Sequence, residues 1–141
     1  MVQSWQFWAL LSAGFAALTA IFAKIGVSGI NPDFATLIRT GFVVIVLAII
    51  VSMTGQFQSL SEIPKKTWVF LALSGVGTGA SWLSYFRALK LGDASRVAPV
   101  DKLSIVLVAI FGVIFLGETL KAIHWVAVAM IASGAIMLAV F

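Results

Sequence analysis

The chain has 141 residues, 62% of them hydrophobic and 10% charged, with a formal net charge of +4 and no cysteine. A soluble domain carries roughly 25% charged residues, so this composition, with a mean hydropathy of +1.14, excludes an ordinary globular domain and marks an all-helical integral membrane protein. It also excludes disulfides, thiolate metal sites and cysteine nucleophiles, while nine basic residues scattered between apolar stretches point to membrane flanks rather than to nucleic acid.

Five apolar segments, each near the ~20 residues that cross a hydrocarbon core at 1.5 Å rise per residue, take up most of the chain. The first covers about residues 5–25. No basic region precedes it and Lys24 follows it directly, so it reads as a span rather than a cleaved signal. Its alanines (Ala9, Ala13, Ala17 and Ala16, Ala20) make small-residue rows that permit close helix contact. Asn31-Pro32-Asp33 then reads as a helix start: a capping Asn, Pro at the first helical position and an acid in the first turn. The second span, about 32–53, carries Arg39 two turns in. A polar loop leads to Pro64 and the third span, about 65–89, whose middle holds Gly75, Gly77 and Gly79. Such glycines resemble a phosphate loop only superficially, because that chemistry needs a preceding strand. Inside a span they predict a close-packing face.

The fourth span, about 95–116, contains Pro99 within its first turn or so, where it is either tolerated or kinks the helix. The fifth, about 120–141, carries Ser133 and Gly134 as another small surface. Five spans put the chain's two ends on opposite sides. Side A then holds the loops after spans two and four, and side B those after spans one and three. Trp5, Trp8, Trp68 and Trp125 all fall at side A ends, as interfacial anchors should, and His124 sits beside them as a further interface residue. One histidine and no cysteine argue against a metal site there. Side A has Lys65, Lys66 and Lys121; side B has Lys24, Arg87, Lys90 and Arg96. That near balance does not select an orientation.

Arg39 and Lys102 each lie seven residues into a span that starts at side B, about 10 Å deep at 1.5 Å per residue. Asp101 is at the same level, and Arg87, Tyr85 and Trp82 come near it from the end of the third span. Charges at mid-membrane cost about 2.5–3.5 kcal/mol each, so they face protein or water and mark function. Two readings stand. In one, Arg39 and Asp101 form a satisfied pair while Lys102 and Arg87 snorkel to head groups. In the other, Arg39, Trp82, Tyr85, Asp101 and Lys102 line a cationic vestibule for a solute. Asp101 is the deep carboxylate of the chain, and none lies in the first span.

Several motifs together resemble those of EamA-domain proteins in the drug/metabolite transporter superfamily. They are Asn31-Pro32-Asp33-Phe34-Ala35 leading to Arg39, then Ser84-Tyr85-Phe86-Arg87-Ala88-Leu89, then Ala94-Ser95-Arg96-Val97-Ala98-Pro99. Phe115-Leu116-Gly117-Glu118-Thr119-Leu120 and Gly134 complete the series. The resemblance covers the whole chain in order. Usual members carry two such domains in inverted orientation, whereas this chain resembles the short, single-domain branch; Asp101-Lys102 also depart from the uncharged residues common there. The resemblance implies a multi-pass transporter of small metabolites or drugs in the cytoplasmic membrane of a prokaryote. The residues themselves offer no nucleophile–base pair, metal site or nucleotide motif, so no enzymatic activity, metal or cofactor is expected. The transporter's partners would be the lipid bilayer, a small-molecule solute and a second copy or a paired half-transporter. A non-transporting membrane subunit that assembles with another protein is the alternative.

Overall fold

The structure, a computed structural model, describes residues 4–141. Its elements are α1 (Trp5–Val27), α2 (Pro32–Thr54), a 3-10 turn (Leu60–Glu62), α3 (Lys65–Leu91), α4 (Ala94–Asp101), α5 (Ser104–Leu116) and α6 (Ala122–Val140). No strand occurs among the described residues. Counting α4 and α5 as one segment, Ala94–Leu116, five helices are long and apolar enough to cross a membrane. The predicted spans are recovered within about two residues at each end. The exception is the fourth, which is two helices rather than one.

The start of α2 forms as expected. Asn31 is extended, and its side-chain Oδ1 accepts hydrogen bonds from the N–H groups of Asp33 (2.9 Å) and Phe34 (3.2 Å). Proline at the first helical position has no N–H to satisfy, so the Asn31 side chain takes two of the three donors left open at this N-terminus. The break between α4 and α5 follows Pro99. Proline offers no N–H to the carbonyl one turn back, and past it the bonding tightens to a 3-10 pattern. Lys102 donates to Pro99 (3.1 Å), Leu103 to Val100 (3.0 Å), Ile105 to Lys102 (3.0 Å) and Val106 to Leu103 (3.0 Å). Asp101 and Lys102 therefore sit at a discontinuity inside an apolar span, the arrangement that neither sequence reading of Pro99 specified.

The described residues divide into two compact units, Phe22–Lys90 and residues 4–21 with Leu91–Phe141. In the Phe22–Lys90 unit the buried side chains are Ala23, Val27, Ala35, Thr36, Phe86 and Leu89. They come from the end of α1, the start of α2 and the end of α3, so this unit is packed at the end where α2 begins. Thr36 is admitted there because its hydroxyl donates to the Pro32 carbonyl one turn back, at 2.9 Å. Farther along, Phe42, Val46, Met53 and Val76 are exposed; in a bilayer such side chains meet acyl chains, which solvate them as well as protein does. Gly75, Gly77 and Gly79 meet no atom of the chain where a Cβ would stand. The close-packing face predicted there thus has no partner within the Phe22–Lys90 unit.

In the other unit α6 packs against α4 and α5, with Gly112 and Ala135 buried. α5 ends at Gly117, whose φ of +68° lies in the left-handed region that glycine enters without a steric penalty. The N–H of Glu118 turns back to the Gly112 carbonyl at 3.1 Å. Gly112 also admits the Glu118 carboxylate, since a Cβ there would stand 2.6 Å from Oε2. His124 closes the start of α6, its Nδ1 accepting from the Lys121 N–H at 3.2 Å.

Candidate solute site

In the Phe22–Lys90 unit, α2 and α3 bring their charged and aromatic residues together. Trp82 and Phe86 are four apart on α3 and so share a face. The Arg39 guanidinium lies over that face, its central carbon 4.0 Å from the Trp82 ring centroid and 5.5 Å from that of Phe86. A guanidinium over an aromatic face is worth ~0.5–2 kcal/mol, more where water is excluded. Phe86 is buried, and Trp82, Tyr85 and Arg39 are half-buried. Tyr85 is close enough to Arg39 to interact with it electrostatically. Arg39 Nη1 is shielded from solvent and donates to no acceptor among the described residues.

One helical turn farther out, Arg87 makes a two-pronged contact with Asp33: Nε to Oδ1 at 2.7 Å and Nη2 to Oδ2 at 2.6 Å. Both side chains are largely exposed, so solvent screens the pair. Its use is geometric, because the planar fork fixes the start of α2 against the end of α3. Lysines brace the same end. Lys24 Nζ on α1 donates to the Leu89 carbonyl on α3 at 2.7 Å. In return, Lys90 Nζ on α3 donates to the carbonyls of Val27 (2.9 Å), Ser28 (2.7 Å) and Ile30 (3.1 Å), where α1 ends and the loop to α2 runs. Helix C-termini carry open carbonyls and the negative end of the dipole, and each helix lends a cation to the other's.

The other unit repeats the device once and carries the second charged set. Arg96 donates through Nε to the Leu138 carbonyl (3.2 Å) and through Nη2 to that of Ala139 (3.0 Å), closing the last turn of α6. Asp101 is half-buried and pairs with its neighbour Lys102, Nζ to Oδ2 at 3.2 Å, at the α4–α5 break.

Arg39 and Asp101, expected as a pair, belong to different units, and within each unit the charge has a local solution. Each residue finds its partner in its own unit: Arg39 the Trp82 ring, Asp101 the Lys102 ammonium. Arg87 and Lys102 do not snorkel alone; each holds a carboxylate. The sequence reading placed Arg39, Trp82 and Tyr85 together, as the structure does, but missed Phe86 and Asp33. The signal for Asp33 was present, since the first turn of the second span and the last turns of the third share a side. Phe86 was legible only through its four-residue spacing from Trp82.

Comparison with known proteins bears on what this arrangement serves. The model of the EamA-like transporter family matches residues 3–140. A protein described as an uncharacterized transporter in the cobO 3' region of Sinorhizobium sp is 72% identical over 141 residues, with both chains covered in full. No solved structure matches the chain. A family match over nearly the whole length, on a chain of five membrane-spanning segments, shows that this protein belongs to the EamA-like transporter family and is a multi-pass membrane transporter.

Proposed function

We propose that this chain is a secondary transporter subunit that moves a small metabolite or drug-like solute across the cytoplasmic membrane of a prokaryote, as an antiparallel homodimer. The observation that carries the reading is Arg39, a cation held inside a span by aromatic rings rather than by an acid. Ionisable groups at membrane depth mark solute and ion paths. Arg39, Trp82 and Tyr85 are one candidate set of solute contacts. Asp101 and Lys102, at the α4–α5 break, are a second; interrupted helices are where transporters present polar groups at the midplane. Neither set resembles a nucleophile with its base, and the work is conduction of an unaltered solute, without metal or cofactor.

Alternating access in this type of protein is supplied by two halves of inverted orientation. The Sinorhizobium relative is covered from end to end by this one domain, which supports a second chain as the source of the inverted half. Three basic residues on side A against four on side B permit insertion either way up. Purified protein, alone in liposomes, should give saturable uptake of at least one solute from a radiolabelled panel of amino acids, nucleobases and organic anions. Flux that appears only after a second membrane protein is added would favour an assembly subunit, and no flux in either case overturns the transport reading.

A further inference from the structure

The way Arg39 is held says what it lacks. Trp82 at 4.0 Å and Phe86 at 5.5 Å hold the guanidinium over aromatic surface, which offers no oxygen or nitrogen acceptor to its N–H groups. The N–H donors lie in the plane of the group and point outward from its edge. One of those nitrogens, Nη1, is shielded from solvent with no acceptor among the described residues. A charged donor in that position costs more to leave unmatched than a neutral one. The carboxylates of the same unit are Asp33 and Glu62. Asp33 is engaged by both prongs of Arg87. Glu62 lies beyond the far end of α2, more than 20 Å along the helix from Arg39 at about 1.5 Å per residue.

We propose that Arg39 is the receptor for the carboxylate of a small monocarboxylic solute with an apolar body, an inference that rests on the transport reading and names its substrate class. One guanidinium balances one negative charge. Its edge presents paired donors that match the two oxygens of a carboxylate. Phe86 and Trp82 already hold the group in place, so little motion has to be frozen when the anion arrives. The surroundings are apolar, which favours a weakly hydrated carboxylate on a hydrocarbon or aromatic body over a small, strongly hydrated ion.

The test uses the full chain purified in maltoside micelles free of phospholipid, with carbon-14 benzoate as probe and benzamide as its neutral isostere. Benzoate should bind saturably and raise the unfolding temperature, and benzamide should bind at least about tenfold more weakly, because it removes the charge and keeps the body. Arg39→Lys should weaken benzoate at least about tenfold, since a point charge replaces the fork. Arg39→Met should abolish binding, yet without benzoate its unfolding temperature should stay close to the parent's, because the lost ring contact is offset by removal of an unmatched donor; a purely structural arginine would lose stability on the same change. Should that variant fail to fold, Trp82→Phe keeps the ring contact in weakened form and should reduce benzoate affinity severalfold. No saturable benzoate binding, equal binding of benzamide, or binding that survives Arg39→Met overturns the proposal. So does phospholipid retained through purification in an Arg39-dependent way, seen by native mass spectrometry, with no competition from benzoate; that result assigns the same oxyanion chemistry to a lipid head group. Liposome flux separates the two readings. Arg39-dependent benzoate binding without flux of any solute removes the transport reading and keeps the carboxylate site. Flux of a neutral or cationic solute that Arg39→Lys does not slow keeps transport and removes the site.

Discussion

Truncation of Leu89 to alanine is expected to cost about 2–4 kcal/mol of stability, the range for deleting a fully buried leucine when the surroundings close only partly. Leu89 is 0% exposed, and it stands where the ends of α1 and α3 and the start of α2 meet. In lipid the transfer of a methyl group from protein to acyl chains gains little, so the loss comes mainly from the contacts a cavity leaves unmade. Unfolding in mixed micelles of maltoside and sodium dodecyl sulfate measures it. Val76→Ala is the control: Val76 is 72% exposed and its truncation should stay within about 0.5 kcal/mol of the parent. Equal losses at the two positions would mean that the Phe22–Lys90 unit is not packed where its buried residues lie.

Replacement of Lys90 by methionine is the second large effect, about 1–3 kcal/mol, the range for charged hydrogen bonds removed and carbonyls left wanting. One ammonium serves three carbonyls, those of Val27, Ser28 and Ile30, and the Val27 group is partly buried where water reaches it poorly. The methionine keeps nearly the same apolar length, so the change isolates the charge and its donors. Lys24→Met removes the donor that the Leu89 carbonyl accepts from and should also destabilise the protein. The same micelle titration reads both, and a Lys90 variant as stable as the parent would remove the brace between α1 and α3.

The contrast between these two residues and Arg39 explains what the sequence made legible. Span positions followed from hydropathy and length alone, and the start of α2 from Asn31-Pro32-Asp33, because both are local signals. The pairing of charges was a different problem. Depth along a helix is readable at 1.5 Å per residue, but rotation about the helix axis is not. Equal depth therefore suggested Arg39 with Asp101, while the structure matches Asp33 with Arg87 and Asp101 with Lys102. Lys24, Lys90 and Arg96 were counted as flanking charges, and they turn out to close helix ends. Basic residues near a C-terminus carry that hint, but which carbonyls they reach depends on packing that no local signal records. The α4–α5 break had its cause in view at Pro99, and its place, three residues on, depended on the 3-10 bonding past the proline. Gly75, Gly77 and Gly79 implied a packed face, and within the Phe22–Lys90 unit that face is open.

Insertion of the chain in both orientations is the claim on which the two-chain transporter stands, and the absence of native cysteine makes it directly measurable. Ser59 lies exposed in the loop between α2 and α3, so Ser59→Cys offers a single thiol on side A. Whole cells expressing this variant are treated with a membrane-impermeant maleimide, and the labelled fraction is compared with that after lysis. Labelling of near half the protein in intact cells is the result expected of an antiparallel homodimer. Labelling of all of it, or of none, would fix a single orientation and contradict the homodimer.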